Sequence, residues 1–246
     1  SARQDLNNIG GLIEAGSAAT VTAGRDLNLI TTTQSSSNTT SNNAGGNSFA
    51  QTGIDRVAGL FVKSSTGTLV ASAGRDFTLA AAQVSSAGSA DLSAGRDLNL
   101  GTVTTSSSQS LNWDASNYLR QTSSQDVGSQ VGAGSNLTLA AGNNLTAKAA
   151  QVSAEQALVA TAGNNIVITQ GTATSTLDEA SKHTSSGFLS STTRISQVQT
   201  SSATAIGSSL DGNTVSLSAG KDLTVQGSNV VSDAGTKLQA VGNVNI

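Results

Sequence analysis

One seven-residue phrase keeps returning along this chain: a small residue, Gly, a polar residue, Asp or Asn, then apolar, polar, apolar. It stands at Ala23-Gly24-Arg25-Asp26-Leu27-Asn28-Leu29, Ala73-Gly74-Arg75-Asp76-Phe77-Thr78-Leu79 and Ala94-Gly95-Arg96-Asp97-Leu98-Asn99-Leu100. Further copies start at Ala133, Ala141, Ala162 and Ala219, and a shortened one closes the sequence at Gly242-Asn243-Val244-Asn245-Ile246. A fixed internal period is the mark of a repeat architecture, in which each unit buries its apolar face only by stacking on the next.

The spacing of the glycines gives the size of the unit. Gly74 to Gly95 and Gly142 to Gly163 span one and the same interval, and Gly220 to Gly242 is a single position longer. That interval, about 21 residues, is the length of one solenoid coil. The intervening gaps, Gly24 to Gly74, Gly95 to Gly142 and Gly163 to Gly220, are each more than twice as long. Plain units therefore alternate with units that carry a large insertion, near residues 31–65, 102–132 and 169–209. The copy at Ala133 lies too close to the next, at Ala141, to be a unit of its own, and reads as the strand leading into that turn.

Alternation continues upstream of each glycine. Val21, Ala71, Leu92, Leu139, Ala160 and Leu217 form one apolar column, and Ala19, Leu69, Ala90, Leu137, Leu158 and Val215 another. Period two on both sides of a Gly-containing corner predicts two short strands with one face turned inward. The fold class expected is all-β: a parallel β-helix, or solenoid, of about 21 residues per coil, with Leu27, Phe77, Leu98, Leu145, Ile166 and Leu223 as one inward column. Composition agrees, because 2% aromatic residues and no Pro, Cys or Met leave thin layers of Ala, Val, Leu and Ile as the core material.

At the corners, the turn-motif residues are Gly24, Asp26, Gly74, Asp76, Gly95, Asp97, Gly142, Asn144, Gly163, Asn165, Gly220 and Asp222. Glycine is expected there for a positive φ, with Asp or Asn bonding to neighbouring backbone as a ladder or as isolated turn formers. The three insertions open with Ser/Thr-rich stretches, yet hold or adjoin five of the six aromatic residues: Phe49, Phe61, Trp113, Tyr118 and Phe188. They are expected to be β-hairpins folded against the helix side, with those aromatics either anchoring them or remaining exposed as candidate partner contacts.

Chemistry is harder to find. His183 is the only histidine and Asp178-Glu179 the only adjacent acidic pair, both inside an insertion, so no nucleophilic triad or metal cluster takes shape and no catalytic, cofactor or metal site is expected. The paired glycines Gly10-Gly11 and Gly45-Gly46 do not belong to a calcium-binding repeat. Twelve Lys and Arg residues, scattered singly against a net charge of −3, argue against nucleic-acid binding. No apolar run is long enough for a membrane-spanning helix, and the mid-pattern opening SARQDLNNIG is expected for a single segment, 1–246, of a longer protein.

The repeated Ala-Gly-Arg-Asp phrases at Ala73 and Ala94, the regular glycine period and the Ser/Thr-rich insertions resemble the haemagglutinin repeats of filamentous haemagglutinin-type proteins. The alternation of plain and inserted units, with Ser186-Gly187-Phe188-Leu189-Ser190-Ser191, is similar to the repeats of contact-dependent growth-inhibition effectors and related two-partner-secreted exoproteins. That resemblance implies a right-handed β-helix, export through an outer-membrane β-barrel transporter, and a place on the Gram-negative cell surface, with contact to a target-cell outer membrane during toxin delivery. The leading reading is a non-enzymatic shaft of an adhesin or growth-inhibition effector. A module that binds surface glycans or lipids through the insertions, and a β-helix carbohydrate-active enzyme, are the alternatives.

Overall fold

The computed structural model describes residues 1–41 and 46–246; of the paired glycines, Gly45 lies outside them. The chain is all-β and built from parallel sheets. It runs repeatedly through three walls, and each strand hydrogen-bonds to the equivalent strand of the previous and the following pass. The first wall stacks Leu6–Ile9, Leu27–Ile30, Phe77–Ala80, the start of Leu98–Asp114, Leu145–Lys148, Ile166–Thr169, Leu223–Gln226 and Val244–Asn245. The second begins Leu12–Ala15, Gly59–Val62, Gln83–Ser86 and Gln130–Ala133, and the third Ala18–Ala23, Thr68–Ala73, Ser89–Ala94 and Leu137–Ala141. From Gln151–Ala162 onward the second and third walls are crossed by single bent strands, with a register shift between Ala154 and Ala157 absorbing the corner.

Register sets the core. Leu6, Leu27, Phe77, Leu98, Leu145, Ile166, Leu223 and Val244 pair in succession along the first wall. The six from Leu27 to Leu223 are buried, whereas Val244, with no described strand stacked on it, is 44% exposed. Val21, Ala71, Leu92, Leu139, Ala160 and Leu217 pair likewise in the third wall, alongside Ala19, Leu69, Ala90, Leu137, Leu158 and Val215. Each fully buried Leu or Val contributes about 1.5–3 kcal/mol, but only with a neighbour on both sides, so the walls stabilise one another pass by pass.

The corner glycines serve a purpose other than the one expected from their sequence. Gly24, Gly74, Gly95, Gly142, Gly163 and Gly220 do not have positive φ. Their constraint is contact between passes: a Cβ on Gly74 would lie 2.3 Å from the carbonyl oxygen of Gly24, one on Gly95 2.2 Å from that of Gly74, and one on Gly142 2.1 Å from that of Gly95. The backbone amide of Gly95 donates to Ala73 and that of Gly142 to Ala94, which draws the corners together and leaves no room for a side chain.

Apart from Gly46 (80°) in the first ribbon, positive φ among the described residues occurs at the end of the first wall, at Gly10 (58°), Ala81 (49°), Ala149 (48°) and Gly227 (54°). These left-handed residues make the tight turns of every second pass. On the passes between them the same corner, after Ile30, Leu100 and Thr169, opens outward into antiparallel ribbons: Thr32–Thr40 with Asn47–Arg56, the outer part of Leu98–Asp114 with Asn117–Gly128, and Gly171–Ser186 with Ser191–Ile206. Rather than lying against the walls, the ribbons pair with each other. Gln51 sits opposite Ser107 and Gln121 opposite Leu177, so six antiparallel strands form one continuous outer sheet.

Strand spacing explains the alternation. Passes stack at about 4.8 Å and a two-stranded ribbon is about 9.6 Å wide, so ribbons tile edge to edge only when they leave from every second pass. Deleting the plain pass 142–162 should leave the walls folded by circular dichroism but expel the third ribbon from the sheet, read as fast amide exchange across Gly171–Ser186. Deleting 74–141 instead, which restores the two-pass spacing between the first and third ribbons, should leave that exchange slow.

Candidate functional site

Three polar regions bear on function: the corner at the glycines, the roots of the ribbons and the outer sheet. At the corner, the carboxyl or amide oxygen of each pass accepts the backbone N–H of the next. Asp26 N donates to Asp5 Oδ1 at 3.2 Å, Asp76 N to Asp26 at 3.4 Å, Asp97 N to Asp76 at 3.4 Å and Asn144 N to Asp97 at 3.1 Å. Asn165 N donates to Asn144 and Asp222 N to Asn165, both at 3.2 Å, and Asn243 N to Asp222 at 2.8 Å.

Stacked carboxylates about 4.8 Å apart would repel, and the residue before each one answers this. Arg25 Nε donates to Asp5 at 2.7 Å, Arg75 to Asp26 at 2.8 Å and Arg96 to Asp76 at 2.7 Å, each with a second guanidinium bond to the same carboxylate. Where the column changes to neutral Asn144 and Asn165, the preceding residues are Asn143 and Asn164, and their amides donate to Asp97 and Asn144. Asp5 belongs to this column although no glycine announces it; its signal is the phrase Asp5-Leu6-Asn7, one plain unit before Asp26-Leu27-Asn28.

At the ribbon roots stand three buried hydroxyls that no spacing or motif in the sequence sets apart. Thr31 Oγ1 donates to Ala81 O at 2.7 Å and accepts from Ala58 N at 3.2 Å. Ser129 Oγ donates to Gly101 O at 3.0 Å and accepts from Ala82 N at 3.2 Å. Ser208 Oγ donates to Thr169 O at 2.7 Å and accepts from Ala150 N at 3.0 Å. Each clasps the exit and return of a ribbon to the adjacent plain pass. Asp126 reinforces the second root: it accepts from Thr104 Oγ1 at 2.8 Å and Thr172 N at 3.2 Å and pairs with Lys148 at 2.8 Å. Burial pushes its pKa up, and those three donors together outweigh it and hold the carboxyl below its ordinary value.

Across the outer sheet, hydroxyls meet in register. Ser35 and Thr52 are 2.8 Å apart, Ser124 and Thr174 2.7 Å, and Ser107 and Ser123 2.9 Å. The five aromatics singled out in the sequence do not converge. Phe49 is exposed on one face, with Asn38, Gln109 and Leu111 around it. Tyr118 lies on the other, donating to Asp178 Oδ1 at 3.3 Å beneath the Arg120 guanidinium, 4.4 Å from its ring centroid. Trp113 is exposed near the tip of the second ribbon and Phe188 fully so at the tip of the third, while Phe61 sits in the second wall among Gln83, Gln130 and Gln151. His183 faces Arg194 across the third ribbon. On the Phe49 face, nearer the roots, a shallow groove of about 460 Å³ crosses all three ribbons, lined by neutral residues including Gln51, Gly53, Ser107, Gln125 and Ala173.

Two measurements test this geometry. Ser129→Ala leaves the Ala82 amide without its partner in a dry site, and the Gly101 carbonyl with only the bond from Ala81 N, and should lower stability by about 1–3 kcal/mol, read from denaturant midpoints, whereas Ser123→Ala on the outer sheet should change little. The bond from Arg25 holds the Asp5 carboxyl down to about 2, from an ordinary 3.8, and Arg75 lowers Asp26 in the same sense. A depressed folded pKa contributes stability that is complete above the ordinary value and disappears as pH falls through the folded one. The melting temperature should therefore hold above about pH 4 and drop towards pH 2, with a shallower drop in Asp5→Asn and Asp26→Asn.

The hemagglutinin repeat family model matches residues 61–118 and 114–246. Over 119 residues the chain is 36% identical to a protein of Enterobacter cloacae subsp. cloacae named 16S rRNA endonuclease CdiA, a match that takes in 48% of this chain and 4% of that protein. No solved structure matches. With the family model spanning most of the sequence, the chain belongs to the hemagglutinin repeat family, as a filamentous haemagglutinin-type repeat region.

Proposed function

We propose that this chain is a structural shaft: a right-handed parallel β-helix of about 21 residues per coil, forming one segment over 1–246 with hairpin insertions near 31–65, 102–132 and 169–209. Its parent is a large two-partner-secreted protein of the Gram-negative surface, an adhesin or a contact-dependent growth-inhibition effector, exported through an outer-membrane β-barrel transporter. The observation that carries this reading is the unbroken pairing of the Leu27 column and of the Asp26 column over successive passes. Such periodicity makes a spacer, and the residues from Gly24 to Asp222 in the turn motif are its structural fasteners. Endonuclease activity is named for a relative of which only 4% is matched, and the shaft reading is non-enzymatic.

In this reading the ribbons are what the shaft presents to a target-cell outer membrane during toxin delivery, with Phe49, Trp113 and Phe188 as exposed contacts and Phe61 and Tyr118 as supporting ones. A second reading, a module that holds neutral surface glycans, is favoured by the uncharged groove across the ribbons, whose hydroxyl and amide groups suit a polyhydroxyl ligand and leave a phosphate without a cation. Binding of the intact chain to Gram-negative and epithelial cells, against a form with all three ribbons cut to turns, tests both. Loss of binding on trimming, with β-type circular dichroism retained, is the expected result. Loss that Gln51→Ala and Gln125→Ala reproduce favours the glycan module, and equal binding by the trimmed form removes the ribbons from either reading.

A further inference from the structure

Of the two aromatic residues in the walls, Phe77 is buried in the core, whereas Phe61 points outward from the second wall between the inward side chains of Leu60 and Val62. Its ring lies over Gly59, where a Cβ would come within 2.3 Å of Cε2. On the passes that follow, Phe61 is succeeded in register by Ser85, Gly132, Ser153 and Asp211, and Gly59 by Gln83, Gln130 and Gln151. Small side chains beside three long amides leave a trough that runs along the shaft axis from the Phe61 ring. Two hollows, of about 340 and 440 Å³, share Ser85, Gly132 and Ser153 as their floor. Described passes flank the trough on both sides, at Leu12–Ala15 and Ser209–Ala219.

We propose that this trough holds a neutral polysaccharide lying along the axis, with one sugar ring stacked on Phe61. A sugar has an apolar face of C–H groups and a rim of hydroxyls, which calls for an aromatic surface beside groups that both donate and accept. Gln amides and Ser hydroxyls do both. Hydroxyls of the outer sheet bond to one another, as Ser107 does to Ser123. The side chains of Ser85, Ser153 and Gln151 have no hydrogen-bond partner among the described residues and are open to a ligand. Gln83 and Gln130 share one bond, at 3.4 Å, which leaves an amide oxygen on the first and a donor on the second.

Period and charge narrow the ligand. An amide and a small residue recur on each pass, about 4.8 Å apart, so a chain lying along the axis meets like groups at like intervals and gains most if it repeats as well. Glu155 borders the second hollow and Asp211 follows Ser153, while Lys63, beyond Phe61, is engaged by Glu14. A sulfated or uronic-acid polymer would meet carboxylates and no free cation. An added peptide strand finds no partner either, because the backbone of this wall is already paired with the passes on each side. The site belongs to the shaft itself and rests on neither reading of the ribbons.

Titration calorimetry of the whole chain with maltohexaose, cellohexaose, chitohexaose and hexagalacturonate tests the site. At least one of the three neutral hexasaccharides should bind with a millimolar or tighter dissociation constant, and hexagalacturonate should not bind. Phe61→Leu keeps Gly59 covered but removes the ring, and should weaken binding about tenfold. Gly132→Gln fills the floor of the trough, at a position where a Cβ lies an unstrained 3.5 Å from Ser153 Oγ, and should abolish binding with unchanged circular dichroism. Gln125→Ala, and the form with all three ribbons cut to turns, should bind like the intact chain, so failure of the ribbon readings and failure of this one are told apart. Binding of no neutral hexasaccharide, tighter binding of hexagalacturonate, or affinity that survives Gly132→Gln but falls in Gln125→Ala would each overturn the proposal.

Discussion

Almost everything in this molecule is set by the separation of hydrogen-bonded strands, about 4.8 Å. A chain that stacks on itself at that pitch must repeat every side-chain environment at the same interval, and the three kinds of column show what this demands. Apolar columns gain from it, since Leu on Ile on Leu excludes water along the whole axis. The glycine column is required by it, because consecutive corners approach until a carbonyl oxygen occupies the place of a Cβ. The acidic column would be destabilised by it without the cations and amides threaded between successive carboxyl groups.

The ladder shows how a repeat tolerates variation. Gly-Arg-Asp and Gly-Asn-Asn are different phrases with one geometry: an oxygen that accepts from the backbone of the next pass, preceded by a donor that reaches back. Exposed ion pairs contribute little stability individually. Their larger effect here is to hold an acceptor in place for a backbone amide, and an asparagine does that equally well. The change from Asp97 to Asn144 therefore alters the charge along the corner without altering the stacking.

The inward columns were legible in the sequence because one buried face imposes period two, and a slip by one residue would turn Leu69, Leu92 or Leu139 to solvent. The corner glycines were legible as positions and not as reasons: a positive φ and a close approach both forbid a side chain, and a single sequence does not separate them. The ribbons could be located from the gaps between glycines, but Ser/Thr runs such as Ser35-Ser36-Ser37 carry no alternation that would reveal pairing with a neighbouring ribbon. Thr31, Ser129 and Ser208 were hidden for a simpler reason, being three hydroxyls among many, distinguished only by burial.

The ribbons leave the walls at one corner and return within a single clasp, so their length is independent of everything the core requires. The first ribbon's opening strand has nine residues and the third's has sixteen, on roots of the same construction. At about 3.4 Å per residue, the strands of the third ribbon run roughly 50 Å from root to tip, and Phe188 and Leu189 lie exposed at that tip. A filament built in this way sets its axial length by the number of passes and its lateral reach by the length of each ribbon, so the distance at which it meets another surface is free to change while its shaft remains the same.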